Sequence, residues 1–420
     1  MLTKLNLRVG VAAVAVSLFF YSCTQEEEGT VEEAVFTELD ENFDSQVIPG
    51  QYIVVYRKGS VEDTGAKYPE SYSKAQEAMA DQTKKLLSKA SIQNVEVINV
   101  YSNTVMGATM KLSDKQVQEL KKLKEVAYIE QDRIVMFAPP CGTPKGGPCE
   151  PSNPDPEEPG DGGTSTQETP YGITRVNGVS SYTGNGVAYV LDSGIDLTHP
   201  DLNVDSSSGF NAFTSGRDGG SLNDGNGHGT HVAGTIAAIN NNFGVIGVAP
   251  GAIVVPIKVL DSRGSGSYSG VIAGVDFVGA QGKSGDVANM SLGGPVSQAL
   301  DDAIIAASKN VKFVLAAGNE SANANNSSPA RVNGANIYTI SAVNSSDTFA
   351  SFSNYGNPPV DYAAPGVSIK STWRNGGYNT ISGTSMAAPH AAGVLLLGAP
   401  KTSGTAKNDP DGNPDPIIIH

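Results

Sequence analysis

Cysteine, tryptophan and histidine are scarce: three, one and five in 420 residues. Three cysteines without paired CxxC motifs exclude a disulfide-dense scaffold and a zinc ribbon. Basic side chains are outnumbered, 28 against 43 acidic, a formal charge of −15. The clustered Lys/Arg that phosphate neutralisation requires is therefore missing, and a general nucleic-acid binder is excluded. Charged residues make up only 17%, whereas apolar residues reach 39% and glycines number 48. Such a chain is too apolar for wholesale disorder and too irregular for a coiled coil or collagen. At roughly 150 residues per domain, its length predicts two or three globular domains with many tight turns.

The charge is uneven. Residues 1–168 carry 26 acidic and 16 basic side chains, and 169–420 carry 17 and 12. Lys4 and Arg8 precede the apolar run Val9 to Phe20. Its 12 residues fall short of the roughly 20 that span a bilayer, so it reads as a signal-peptide core. Cys23 follows a small residue and resembles a lipobox cysteine, which is acylated and becomes the new N-terminus; ordinary signal cleavage is the alternative, since Phe20 and Tyr21 are bulky. Residues 1–23 are thus a signal segment, and 24–46 an acidic tether.

Residues 47–137 have the pattern of a small α+β domain. Strand signals at 51–57, 95–101, 105–112 and 125–137 alternate with helical spacing at 71–90 and 113–123, where Ser113 and Gln116 can form a capping box. The order βαββαβ is ferredoxin-like. Residues 138–168, rich in Pro, Gly and acids, form a linker; Cys141 and Cys149 within it either close a small disulfide loop in an oxidising compartment or stay free thiols.

From Tyr171 onward, near-continuous apolar runs at 187–192, 252–260, 287–291 and 311–317 alternate with helix signals at 228–240, 269–281 and 296–309. That is the pattern of an α/β domain, a mostly parallel sheet covered by helices on both faces. Sites in such sheets form at the carboxyl ends of strands. The first run ends at Asp192, DGNGHGTHVAGT places His228 at a helix start, and SGTSMAAPH places Ser385 at another. A serine hydroxyl needs an imidazole to take its proton, and the imidazole needs a carboxylate to fix its tautomer. Singly, each of these residues is more often a helix cap than a catalyst.

Together, the segments YVLDSGIDLTHPDL, NGHGTHVAGTIA, VIGVAP, IKVLDSRGSGSYSG, NMSLGG, VLAAGNE, SFSNYG and ISGTSMAAPHAAG resemble the subtilases, and within them the proteinase K branch. An α/β-hydrolase elbow is excluded, because Ala387 stands where GxSxG needs its second glycine. The resemblance covers residues 169 to about 398 and implies a subtilisin-like peptidase domain at 169–400, with 47–137 as its inhibitory propeptide. It implies a triad of Asp192, His228 and Ser385, and an oxyanion hole from the Asn319 side chain and the Ser385 N–H. His231 and His390 are expected to be structural. Gly264, Ser265 and Gly266 on one side and Ser291, Leu292 and Gly293 on the other would sandwich an extended peptide, with Ala316, Ala317 and Gly318 walling the first specificity pocket. These small uncharged walls predict cleavage after apolar or aromatic residues.

The resemblance implies no cofactor for catalysis and a structural calcium at Asp361. Asp409, Asp411, Asn413 and Asp415 alternate like the start of an EF-hand, but the interspersed prolines and the lack of a downstream Glu favour a solvated polar tail over 401–420. The expected product is a monomeric serine endopeptidase that acts on proteins or peptides outside the cytoplasm. It is made as a self-processing zymogen, cut between Phe137 and Ala138 and inhibited by its own propeptide, with the membrane touched only through a lipid on Cys23 of the precursor. The alternative is an extracellular binding protein that keeps the fold without turnover.

Overall fold

The computed structural model describes residues 47–136 and 166–420. Phe137, Ala138 and the three cysteines lie outside them, so the expected signal segment, tether, disulfide and maturation bond do too.

The first domain runs β1 (Val47–Tyr56), α1 (Tyr72–Lys89), β2 (Val97–Tyr101), β3 (Gly107–Lys111), α2 (Asp114–Lys121) and β4 (Val126–Met136), with one short helical turn at Thr64–Lys67. Its antiparallel order β2-β3-β1-β4 is the ferredoxin-like one. Helix α1 is capped by Ser71 and buries Ala75, Met79, Leu86 and Leu87 along one stripe, and the capping box of Ser113 and Gln116 opens α2. Side-chain alternation in β1 divides its two faces. Val54 and Tyr56 pack with Met79, Leu86 and Leu120 in the domain's own core, while Ile53 and Val55 face the second domain's core.

In the second domain, β5 (Ala188–Asp192), α3 (His228–Ala237), β6 (Ile253–Lys258), β7 (Ser265–Ser267), α4 (Tyr268–Gln281), β8 (Val287–Met290), α5 (Gln298–Ala307), β9 (Lys312–Ala316), β10 (Ile337–Val343), β11 (Val360–Pro365), β12 (Ile369–Trp373), β13 (Gly377–Ile381) and α6 (Thr384–Leu397) follow one another. Strands β11-β10-β9-β8-β5-β6 are parallel neighbours in a ten-stranded sheet. Each residue of β5 and β8 is buried, as strands covered on both faces require. One core joins the sheet to α3 and α6, the other joins it to α4, α5 and the first domain.

The C-terminus differs from the expected solvated tail. Residues 401–420 form a hairpin of β14 (Lys401–Thr405) and β15 (Pro416–Ile419), and β15 extends the main sheet beside β11. The polar stretch had masked the strand signature of Ile417, Ile418 and Ile419. Ile417 completes a cluster with Val343, Phe349, Ala363 and Ala406, and buried Asp415 accepts the Ser341 hydroxyl at 2.5 Å. Fully burying Ile417 and Ile418 is worth about 1.5–3 kcal/mol each. Removing 401–420 from an inactive Ser385→Ala chain should therefore lower Tm by about 6–24 °C in a thermal scan, at about 2–4 °C per kcal/mol. An unchanged Tm would mean that the hairpin adds nothing to the core.

Candidate active site

Asp192 closes β5, and Ser291 follows β8 in the next row, since Leu191 pairs with Met290. Both therefore stand at the carboxyl end of the sheet. Ser385, the second residue of α6, is pinned there: its hydroxyl donates to the Ser291 carbonyl at 3.3 Å, and the Ser291 hydroxyl donates to the Ser385 carbonyl at 2.9 Å. His228 opens α3, and its Nδ1–H donates to both Asp192 oxygens at 2.9 Å. That bond fixes the tautomer that leaves Nε2 as the basic nitrogen. Gly229 permits the approach, because a Cβ there would lie 2.1 Å from the Gly194 carbonyl oxygen and 3.1 Å from Asp192 Cβ.

Burial opposes a charged imidazole at His228, yet the carboxylate of Asp192, with Asp224 behind it, outweighs burial and holds its pKa above the ordinary value. His231 and His390 behave oppositely. Each is fully buried with one ring nitrogen on a backbone carbonyl, and burial lowers their pKa values to about 3 and about 4. They stay neutral packing groups.

Asn319 follows β9. Its Oδ1 accepts the N–H and the hydroxyl of Thr384, both at 2.9 Å, which turns Nδ2 toward Ser385. A Cβ placed on Gly383 would lie 3.2 Å from Asn319 Nδ2 and 3.7 Å from the Ser385 nitrogen. The two donors thus flank one small space at a helix start, where an oxyanion is favoured.

A peptide strand already runs past this site. In β4, Ile134, Val135 and Met136 pair antiparallel with Ser267, Gly266 and Ser265 of β7, and on the other side the Gly293 N–H donates to the Met136 carbonyl at 3.2 Å. The described end of β4 thus meets Ser265 and Gly266 of one expected edge and Gly293 of the other, and Ser267 joins them. Gly264 sits in the turn before β7, its N–H on the Asp261 carbonyl. Among the described residues, which on this strand end at Met136, Gly293 of the other trio meets it; Leu292 is buried in the core and Ser291 holds Ser385. Ala316 and Ala317 are buried at the end of β9, and the Gly318 N–H donates to the Thr384 hydroxyl at 3.1 Å.

The first domain reaches the second through carboxylates at helices as well. Asp132 accepts the Ser269 N–H in the first turn of α4, and Glu130 accepts the Ala299 N–H in the first turn of α5. Conversely, fully buried Asp276 of α4 accepts backbone N–H groups of Ser102, Asn103 and Thr104, the Thr104 hydroxyl and Gln76 Nε2, all at 2.8–3.2 Å. Asp276 was missed in the sequence, because its partners stand more than 170 residues away in the chain. Asp224 was missed too, although it lies within the quoted histidine motif.

Asp361 lies near the start of β11, where its Oδ2 accepts the Thr339 N–H at 2.9 Å and burial raises its pKa to about 6. Among the described residues no three His, Cys, Asp or Glu side chains cluster as a metal site.

The subtilase family profile matches residues 184–402, and that of the peptidase inhibitor I9 family matches 51–138. Subtilisin NAT of Bacillus subtilis subsp. natto is 38% identical over 344 residues, 80% of each chain. Alkaline serine exoprotease A of Vibrio alginolyticus is 37% identical over 366 residues, 84% of this chain and 61% of that protein. The crystal structure of a cold-adapted subtilisin-like serine proteinase, 39% identical, superposes with a TM-score of 0.52 over 59% of this chain and 97% of that one.

Proposed function

The chain belongs to the subtilase family of serine peptidases and carries an I9 propeptide, and from that premise we propose that it is a self-processing zymogen of a serine endopeptidase with Asp192, His228 and Ser385 as its triad. The observation that carries this reading is the Asp192–His228 pair at the sheet end that holds Ser385, with the chain's own β4 lying in the adjoining groove.

Ser385 Oγ attacks the scissile carbonyl carbon, and His228 Nε2 takes its proton. Asp192 keeps the imidazole oriented and stabilises the imidazolium. The negative charge on the former carbonyl oxygen falls between Asn319 Nδ2 and the Ser385 N–H. His228 then returns the proton to the leaving amine, and water, activated by the same imidazole, releases the acyl group. Replacing Asn319 by Ala removes one oxyanion donor; the loss of about 10²–10³ in kcat is a magnitude taken over from subtilisin's own asparagine.

The groove edges assigned to substrate are Gly264, Ser265 and Gly266, extended by Ser267, against Ser291, Leu292 and Gly293, with Ala316, Ala317 and Gly318 walling a pocket for an apolar or aromatic side chain. A purified mature chain should hydrolyse unfolded protein, and a peptide library should show that preference. Absence of hydrolysis, or strict selection for Arg or Lys, would contradict the reading.

Maturation is assigned to the Phe137–Ala138 bond, since cutting one residue later would place Pro139 after the scissile bond, where its ring crowds the leaving side and it has no N–H. With Cys23 acylated, the precursor would be tethered and the mature enzyme released as a monomer outside the cytoplasm. A buried carboxylate such as Asp361, with one N–H donor and no cationic side chain among the described residues to offset its burial, suits a hard cation. Structural calcium there would be held by Asp361 with backbone carbonyls of 335–337, and would neutralise that carboxylate without entering the chemistry.

A further inference from the structure

Asp224, in the loop before α3, is 2% exposed. Its carboxylate accepts five hydrogen bonds. Oδ1 takes the Ser193 hydroxyl at 2.9 Å and the N–H groups of Asn226 and Gly227 at 2.8 and 2.9 Å, and Oδ2 takes the N–H and hydroxyl of Thr230 at 2.9 and 2.7 Å.

The need for this arrangement lies in the helix start. Helix α3 has no cap side chain of its own, because its N-cap is Gly227 at φ 115°, where a Cβ would lie 2.3 Å from the Trp373 ring. A helix start leaves its first N–H groups without internal partners. Here they are satisfied from outside: His228 by Asn226 Oδ1 at 3.2 Å, Gly229 by Ser193 Oγ at 3.1 Å, and Thr230 by Asp224. Ser193 therefore bridges α3 to Asp224, and its own N–H donates to Asp192 Oδ1 at 2.7 Å. The strand bearing Asp192 and the helix bearing His228 are clasped through one buried carboxylate.

We propose that Asp224 is a positioning residue of the catalytic apparatus: through Ser193 and the first turn of α3 it fixes His228 against Asp192, and its charge favours the imidazolium that forms when Ser385 gives up its proton. The proposal rests on the reading of Asp192, His228 and Ser385 as the triad.

The groups around His228 set the sign of the pH effect. Asp192 of β5 and Asp224 both favour its charged form, and His231, one turn along α3, is held neutral by burial. Lys258 of β6, beside Asp192 in register, spends its ammonium on the carbonyls of Ser193 and Leu260 and on Asp218. A general base must be neutral, so activity rises as pH rises through the His228 pKa. Removing the Asp224 charge lowers that pKa and moves the acid limb to lower pH. A carboxylate that only capped the helix would affect stability and leave the limb in place.

The test compares kcat, KM and the pH profile of kcat/KM for wild type, Asp224→Asn and Ser193→Ala, with Ser385→Ala as the control for the triad. For Asp224→Asn, kcat should fall about ten- to a hundredfold with KM nearly unchanged, since a 1 Å misplacement of a catalytic group can cost about 10²-fold. Its acid limb should move measurably to lower pH, the direction in which loss of an opposite charge acts. Ser193→Ala keeps the charge, so its kcat should fall while the limb stays. An active wild type with Asp224→Asn unchanged in kcat or in its acid limb would overturn the proposal alone. If Asp224→Asn does not mature, an unchanged kcat in Ser193→Ala overturns it. A wild type as slow as Ser385→Ala would overturn the triad, and this proposal with it.

Discussion

Replacement of Ser385 by alanine is expected to yield a folded precursor that remains one uncut chain and has no measurable peptidase activity. The side chain is buried at the start of α6 and its hydroxyl makes one 3.3 Å hydrogen bond, to the Ser291 carbonyl, so its loss should disturb packing little. The proposed chemistry, by contrast, loses its nucleophile. Oxyanion donors and binding groups alone retain about 10³–10⁴-fold over water, far below a complete triad. On the proposed reading self-processing uses the same hydroxyl, so β4 should stay joined to the linker and keep the groove filled. Expression in a host without other proteases, followed by intact-mass measurement, separates the outcomes. A normally matured Ser385→Ala chain would refute self-processing.

The second expected result concerns the first domain supplied separately. Residues 47–137 should bind the mature enzyme and block it at micromolar concentration or below, since β4 pairs with β7 and Gly293 on either side of the groove. Much of that affinity should pass through Asp276, whose buried carboxylate gathers three consecutive N–H groups of the β2–β3 loop. Truncating one partner of a buried hydrogen-bonded charge costs about 2–5 kcal/mol, roughly 30-fold to several thousandfold in affinity. Asp276→Ala should raise the inhibition constant by that factor while leaving kcat on a small peptide unchanged, because Asp276 faces the first domain and not the groove. No inhibition by the separate domain would reject its role as inhibitor; an unchanged inhibition constant in Asp276→Ala would remove the carboxylate from the interface energetics.

How much of this could be read in the chain depended on the range of the interaction that decides each feature. The buried parallel strands announced themselves as continuous apolar runs, and the capping box of Ser113 and Gln116 as a local spacing. Asp192, His228, Ser385 and Asn319 stood out because each sits in a long motif, and the fold places each at a strand or helix end. The C-terminal hairpin was not, since KTSGT is wholly exposed and Ile417 is buried only by β11 and the cluster around Phe349. The part Ser267 plays beside the groove was not legible for a similar reason. Gly264, at φ 82°, turns the chain, and whether Ser267 joins the strand is settled by its partner Ile134, distant in sequence. Asp224 and Asp276 looked like ordinary loop and helix acids, and their importance comes from donors that only the fold brings to them.

The most direct measurement of the central claim is covalent labelling of the mature enzyme with a fluorophosphonate, followed by peptide mapping. A serine hydroxyl activated by His228 and Asp192 should take one label per molecule, on Ser385, with activity lost in proportion, and Ser385→Ala should take none. Label on another residue, or full activity after complete labelling of Ser385, would contradict the account.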